Sequence, residues 1–297
     1  MRFRANLANP VGLGKIALTL EKLGPTCILS LGKDSVRLIK HSDNDGSIQA
    51  WTKTEPASLF SNYRVESTSN NEINMSVVID DLVRATRAAQ QAIDVRIALR
   101  KKRDQPVLDW SMVSENRVGS SSTIGQEISV SIIPPERMRH IREPTIASTP
   151  DAYILLPSLH ALKTTAGRLK SMGKYLTLSA NMAGVFKLVV ETELVQCETV
   201  YRHLENPQLA GHELPDDTAR FASVKISTDN FVSFLNSYHL DPQNVICSLT
   251  DELQVAFYLY VNIDMYRSRG GDETQPPPPP QTTPRTIMTC HIPVYFD

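Results

Sequence analysis

The stretch DAYILLPSLHALKTTAGRLK, residues 151–170, decides the fold because it restarts the pattern with which the chain begins. It predicts a short strand, DAYILL, followed from Pro157 by a helix whose apolar residues share one face. The first residues predict the same order, with the strand RFRANL and then a helix from about Pro10 to Leu23. The two halves start alike, which indicates an internal repeat.

Both halves continue in the same order, with strands, a second helix and further strands. The second helix runs from about Asp80 to Gln91 in the first half and from about Asp229 to His239 in the second half. Two copies of this order predict an α+β protein with two similar domains, in each of which a β-sheet packs against two helices. An accidental rhythm of strands is the alternative interpretation.

The segment PPERMRHIREPTIASTP, residues 134–150, separates the two halves and carries four prolines among alternating charges. This composition is typical of an extended connector on the surface. We therefore predict an N-terminal domain over residues 1–133, a connector over 134–150 and a C-terminal domain over 151–297.

The second half ends with a proline tract and an alternating segment, TIMTCHIPVYFD. The alternation predicts a strand, and the preceding ELQVAFYLYVNID predicts its partner. The proline-rich QPPPPPQTTP then lies in a disordered hairpin loop over about 265–286. The tract also fits the spacing of a ligand for SH3 or WW domains, which is the alternative. One face of the last strand is predicted to carry Met288, Cys290, Ile292, Val294 and Phe296.

The composition is that of a folded globular protein, since 41% of the 297 residues are hydrophobic and 21% are charged. No apolar run approaches the length of a membrane span, and MRFRANLANP lacks the apolar region of a signal peptide, so we expect a protein that stays inside the cell. The cysteines, which lack CxxC spacing, are expected to be reduced core thiols.

Helix faces opposite the apolar residues carry mostly basic side chains, which we call the basic stripe. Acids are concentrated instead in loops such as HSDNDG and ELPDD. Because the net charge is −1, this segregation favours binding to a phosphate backbone without recognition of bases. A face that is basic only for solvation is the alternative. On the first helix, Thr19 is predicted to lie on the same face as Lys15 and Lys22. The basic stripe comprises Lys15, Lys22, Arg84, Arg87, Lys163, Lys170 and Lys174.

Motifs for catalysis or metal binding fail on their spacing. GLGK resembles part of a phosphate-binding loop, but its glycine is too close to the lysine and Ile16 stands where Ser or Thr is required. HSDNDG resembles the middle of a calcium loop, but Thr52 occupies the position of the bidentate carboxylate. The seven histidines and four cysteines show no ligand spacing. We therefore expect no catalytic residue, no metal and no cofactor.

Several short motifs occur in the order and spacing of a known family. They are MRFRA, NNEI from Asn70, the serines 120–122, ISVSIIP before the connector, REP from Arg142, LVVETELV and NPQL from Asn206. Over nearly the whole chain these motifs resemble the Hus-one family of checkpoint-clamp subunits, which is related to the sliding clamp proliferating cell nuclear antigen. The proline-rich loop matches no feature of that family.

The resemblance implies the DNA clamp fold, with sheets outside and helices inside, in a non-catalytic subunit of a heterotrimeric ring that encircles DNA at sites of damage. It implies as partners two other clamp subunits of the same fold, a clamp loader, double-stranded DNA without sequence specificity, and checkpoint and repair proteins. It implies a nuclear location, with a cytoplasmic pool before assembly. A homotrimeric replication clamp and a hydrolase with an unrecognised site are the alternative functions.

The resemblance also implies contact surfaces. The basic stripe is expected to face DNA. Sheet edges over Gln126–Ile133 and Glu193–Tyr201 are expected to join neighbouring subunits, with Ser129, Val130, Val195 and Cys197 at the interface. The connector is expected to bind client proteins through Met138, Ile141 and Ile146.

Overall fold

The computed structural model describes residues 1–41, 46–115, 121–145, 149–207, 217–266 and 286–296. The chain divides into two compact units. Unit 1 comprises Met1–His41, Trp51–Arg142 and Val261–Ile287. Unit 2 comprises Ser42–Ala50, Glu143–Tyr260 and Met288–Asp297. The domain boundaries expected from the sequence remain a prediction.

Unit 1 contains strands and helices in the predicted order. Its strands are β1 (Arg2–Leu7), β2 (Thr26–Leu31), β3 (Val36–Lys40), β4 (Gln49–Thr54, in this unit from Trp51), β5 (Phe60–Glu66), β6 (Ile73–Val78), β7 (Asp94–Lys102), β8 (Gln105–Glu115) and β9 (Ser121–Ile132). Its helices are α1 (Pro10–Glu21), α2 (Pro56–Leu59), α3 (Ile79–Ala89) and α4 (Pro135–Met138).

The strands of unit 1 follow the order β4-β3-β2-β6-β9-β8-β7-β1-β5. The long strand β9 joins two parts of this arrangement, because its two ends have different partners. Residues Ser121–Ser129 pair antiparallel with β8, and Val130–Ile132 pair antiparallel with β6. Along the first part, β9 therefore has a partner on one side only within the described residues.

Helix α1 is buried on more than one side. It contacts α2, α3 and the 3-10 turn Ile263–Tyr266, and Thr19 is only 1% exposed. The prediction that Thr19 lies on the solvent face was therefore wrong, because several elements of unit 1 surround this helix. Gly14 lies close to α3, since a Cβ atom there would lie 3.4 Å from Thr86 Oγ1.

Asn9 fixes the start of α1 from a fully buried position. Its Oδ1 accepts a hydrogen bond from the backbone N–H of Gly12 at 2.8 Å, which caps the helix. Its Nδ2 donates to the carbonyl oxygens of Ser58 at 3.2 Å and Ile263 at 2.7 Å. One side chain thus connects α1 to two segments that are distant in sequence.

Unit 2 repeats the architecture of unit 1. Its strands are β10 (Ala152–Leu155), β11 (Tyr175–Ala180), β12 (Phe186–Glu191), β13 (Gln196–Tyr201), β14 (Ala222–Ser227), β15 (Asn244–Thr250), β16 (Gln254–Val261, in this unit to Tyr260) and β17 (Thr286–Ile292, in this unit from Met288). Its helices are α5 (Leu159–Lys170) and α6 (Thr228–Leu235), and α6 continues into a 3-10 turn, Asn236–Leu240. The predicted helix over Asp229–His239 is therefore two different elements.

The sheets of unit 2 have the strand orders β10-β15-β16-β17 and β13-β12-β11-β14. The orders β1-β7-β8-β9 and β4-β3-β2-β6 in unit 1 are their equivalents by position in the chain. In each unit two helices contact each other, α1 with α3 and α5 with α6. The predicted α+β class with two similar domains is confirmed.

The last strand differs from its prediction. The expected pairing of β16 with β17 is present, because the two strands are neighbours in the sheet. Strand β17 ends at Ile292, however, and both of its faces are buried from Met288 onward. Phe296 is 72% exposed, so it does not belong to the predicted apolar face. Most of the proline-rich loop, residues 267–285, lies outside the described residues.

We expect Asn9→Ala to lower the free energy of unfolding by about 2–4 kcal/mol, because it removes a helix cap and leaves buried backbone groups without partners. Chemical denaturation monitored by circular dichroism measures this change. Asn244→Ala, at an exposed position at the start of β15, is the matched control and should stay within about 0.5 kcal/mol of the native protein. Equal effects of both variants would contradict the structural role of Asn9.

Candidate nucleic-acid surface and assembly edges

The basic stripe in unit 1 consists of cations that already contact neighbouring groups. Lys15 Nζ lies 3.6 Å from the ring centroid of Tyr266, a cation–π contact. Lys22 lies just beyond the end of α1, and its Nζ forms an ion pair of 2.8 Å with Glu21 Oε2. Arg84 forms an ion pair with Asp81. These contacts hold positive charge at the surface of the helix pair.

Arg87 lies exposed in the last turn of α3. The hydrogen bond from Lys22 is the main cause that lowers the pKa of the Glu21 carboxyl, and the charge of Arg87 adds to the effect, while burial acts in the opposite direction. The stripe in unit 1 therefore includes acids that sequence spacing did not reveal.

The stripe in unit 2 is only partly helical. Lys163 is half-buried on α5, with Nζ 4.7 Å from the ring centroid of Tyr238. Lys170, the last residue of α5, forms an ion pair of 2.6 Å with Asp229 of α6. Lys174 lies beyond the helix, so the prediction that it continues the helical stripe was wrong.

Several sheet edges lack a partner strand within the described residues, and those of β13 and β9 are the two that coincide with the predicted interface segments. Strand β13 ends its sheet and pairs only with β12. The edge of β9 over Ser121–Ser129 is free on the side away from β8. Unpaired N–H and C=O groups along such edges are able to bind another strand.

The predicted interface residues occupy different places relative to these edges. Ser129 is exposed at the end of the free part of β9, and Cys197 is half-buried on β13. Val130 is paired with Val77 of β6 and is buried, so it is not on the free edge. Val195 lies before β13 in a turn closed by Thr192, whose N–H donates to the Val195 carbonyl at 2.9 Å.

Sequence reasoning missed the apolar side chains at these edges. Ile124 on β9 is 51% exposed, and Leu194 in the turn before β13 is 94% exposed. An isolated isoleucine inside the polar run SSTIGQ was the available signal for the first of them. Exposed apolar residues beside an unpaired edge indicate a surface that is covered in an assembly.

The predicted docking residues of the connector point toward unit 1 itself. Met138 and Ile141 are partly buried against a cluster formed by Ile28, Ile39, Trp51 and Ile133. They anchor the connector to the body of the unit, because apolar contact of this kind removes part of both side chains from solvent. Ile146 lies outside the described residues.

No cluster of three or more His, Cys, Asp or Glu side chains able to hold a metal occurs within the described ranges. None of the helices described is long and apolar enough to cross a membrane. Burial raises the pKa of the Cys27 thiol to about 12, despite the opposing charge of Lys40. Burial also raises the pKa values of the Cys247 and Cys290 thiols, and the charge of Glu143 adds to the effect at Cys290.

The fold is that of the DNA sliding clamps. Proliferating cellular nuclear antigen from Entamoeba histolytica matches with a TM-score of 0.70 and 12% identity, covering 99% of this chain and 99% of that chain. The corresponding clamp of Thermococcus kodakaraensis matches with a TM-score of 0.65 and 15% identity, covering 99% of this chain and 100% of that chain. At these identities the likeness shows a shared fold.

The sequence places the chain within one branch of clamp-like proteins. A family model described as Hus1-like protein matches residues 1–271, and the chain belongs to that family. Checkpoint protein hus1 of Schizosaccharomyces pombe is 32% identical over 78% of this chain and 80% of its own length. Checkpoint protein HUS1 of Homo sapiens is 29% identical over 87% of this chain and 95% of its own length. The predicted fold and family are both confirmed.

We expect Cys197 to react first with a thiol reagent in the native chain, because Cys27, Cys247 and Cys290 are buried. The fast phase should correspond to one thiol, and all four should react after denaturation. Cys197→Ser should abolish the fast phase, whereas Cys27→Ser should leave it unchanged. A fast phase that persists in Cys197→Ser would show that another cysteine is accessible.

Proposed function

We propose that this chain is the non-catalytic, Hus1-type subunit of a heterotrimeric ring that encircles DNA at damage sites and supports checkpoint signalling and repair. The observation that carries the proposal is the family match over residues 1–271 on a chain with the clamp fold. Relatives named as checkpoint proteins are 28–32% identical, whereas clamps named for nuclear antigen are 12–15% identical. This difference favours a checkpoint ring over a homotrimeric replication clamp.

The basic stripe is the proposed DNA-facing surface. Several of its cations lie beside aromatic rings or acids, as Lys15 over Tyr266 and Lys170 beside Asp229 illustrate. A protein that moves along DNA needs many weak contacts with phosphates instead of a few tight ones. Lysines that already contact an acid or an aromatic ring suit this requirement, because each one contributes little and their sum controls retention.

The free edges of β9 and β13 are the proposed joints between subunits. A ring needs two joints for each member, and these edges lie in different units of the chain. A neighbouring clamp subunit that adds a strand to each edge would satisfy the free backbone groups and cover Ile124 and Leu194. The partners are therefore two subunits of the same fold.

The remaining roles follow from a ring on DNA. A closed ring requires a loader to open it, and a ring at damaged DNA acts in the nucleus, with a cytoplasmic pool before assembly. The connector is the proposed binding surface for checkpoint and repair proteins. Because Met138 and Ile141 anchor it internally, client contacts involve its other side chains.

A proline at Ser129 or at Cys197 should weaken assembly with the two partner subunits, because it removes a backbone donor from an edge strand. Size-exclusion chromatography with light scattering measures the loss of heterotrimer, and Ser129→Ala and Cys197→Ala are the controls. The Cys197 thiol should also become protected from a thiol reagent when the ring forms. Intact rings with both proline variants would contradict the assignment of the edges.

Replacement of Lys163, Lys170 and Lys174 by glutamate should reduce DNA retention by the assembled ring. If all three face phosphates, the slope of log K against log salt should fall by about 3, since each phosphate contact contributes about 0.9. The control variant changes the exposed lysines Lys33, Lys53 and Lys101 to glutamate, which alters the net charge equally. Equal salt slopes for the native ring and the stripe variant would show that the stripe is a solvated face.

A further inference from the structure

The connector has two chemically different sides over residues 134–142. Met138 and Ile141, three positions apart, pack against the apolar cluster of unit 1. The residues between and beside them are exposed. Apart from Pro134, the exposed residues of this segment are Glu136, Arg137, Arg139, His140 and Arg142. The outward side of the connector is therefore polar and mainly cationic.

These cations lack acidic partners in the part of the chain that the structure describes. Among the described residues, no ion pair joins a carboxylate to Arg137, Arg139 or Arg142, or to His140. Elsewhere in unit 1, Arg100 pairs with Asp109 at 2.9 Å and Lys102 pairs with Glu127 at 2.7 Å. The connector thus presents positive charge that is available to a ligand.

The segment is also ordered before any ligand binds. The N–H groups of Met138 and Arg139 donate to the carbonyl oxygens of Pro134 and Pro135, each at 3.1 Å. Arg142 Nε donates to the Arg139 carbonyl oxygen at 2.9 Å, which fixes the direction of its side chain. Pre-ordering of this kind lowers the entropic cost of binding.

A surface depression of about 540 Å³ lies among these side chains and is lined by Glu136, Arg139, His140 and Arg142. Its volume is in the range of sites for small ligands and short peptide segments, about 300–1,000 Å³. Arginine suits carboxylates and phosphates, because its planar guanidinium donates two parallel hydrogen bonds. Glu136 is the one acid in the lining, and it opposes an anionic ligand.

We propose that this outward side of the connector binds an acidic, extended peptide segment of a client protein. The inference rests on the proposed role of the connector as a client-binding surface and names the chemistry of the client. An apolar peptide is disfavoured because Met138 and Ile141 are occupied internally. Duplex DNA is disfavoured because even single DNA-binding modules bury about 600–1,000 Å², whereas this cationic surface spans a single short segment.

The test uses the full chain, alone and in the assembled ring, with a fluorescein-labelled peptide of alternating glutamate and glycine as the probe. Fluorescence anisotropy should show saturable, salt-sensitive binding. Arg139→Glu with Arg142→Glu should weaken it by about tenfold or more, because two charge-assisted hydrogen-bonding groups become repulsive. Glu136→Gln should strengthen it by about two- to threefold, because the opposing charge is removed.

Matched variants separate a site from a general effect of charge. Arg2→Glu with Arg4→Glu, at exposed positions on β1, changes the net charge as much as the connector pair does. Glu66→Gln, at an exposed position on β5, matches Glu136→Gln. Both controls should leave peptide binding unchanged, and the same peptide with glutamine in place of glutamate should not bind.

Three outcomes would overturn the inference. The first is no binding of the glutamate peptide, and the second is an equal loss with the connector pair and the β1 pair. The third is displacement of the peptide by duplex DNA that binds at the connector itself and not at the basic stripe. Ring assembly and DNA retention are measured on the same variants. If both stay normal while peptide binding fails, the clamp function stands and only the docking inference is wrong.

Discussion

The unpaired edges of β9 and β13 are the constraint on which the proposed ring depends. A sheet edge exposes a row of backbone donors and acceptors that readily pair with another chain. Within the described residues, β13 has β12 on one side only, and the first part of β9 has β8 on one side only. A closed ring removes such edges, because each subunit covers the edge of the next. Ile124 and Leu194, exposed beside these edges, would be covered by the same contact.

The duplicated architecture explains how one chain presents two such edges. In the order of the repeat, β4 corresponds to β13 and β9 corresponds to β17. Each unit also places two contacting helices in equivalent positions of its sequence. A repeated unit therefore supplies both sheet edges and helix pairs without separate structures for each.

The sequence predicted these general features because they depend on periodicity. Helical spacing of leucines located α5, alternation located β17 and a β-rich segment located its partner β16, although the predicted ends were off by a few residues. Periodicity does not reveal what surrounds an element on its other sides. Thr19 was placed on the solvent face, yet neighbouring elements of unit 1 bury it, and both faces of β17 are covered from Met288 onward.

The same limit explains why the candidate sites were predicted only in part. The signs of the charges on the basic stripe could be read from the sequence, but their partners could not, since Asp229 and Tyr238 approach α5 through folding. In the connector, the family resemblance implied that Met138 and Ile141 bind clients. A three-residue step places both on one side of a helical turn, and the core of unit 1 occupies that side. The physical consequence is a connector whose apolar residues hold it in place, so that charge and hydrogen bonding determine what binds to its exposed side.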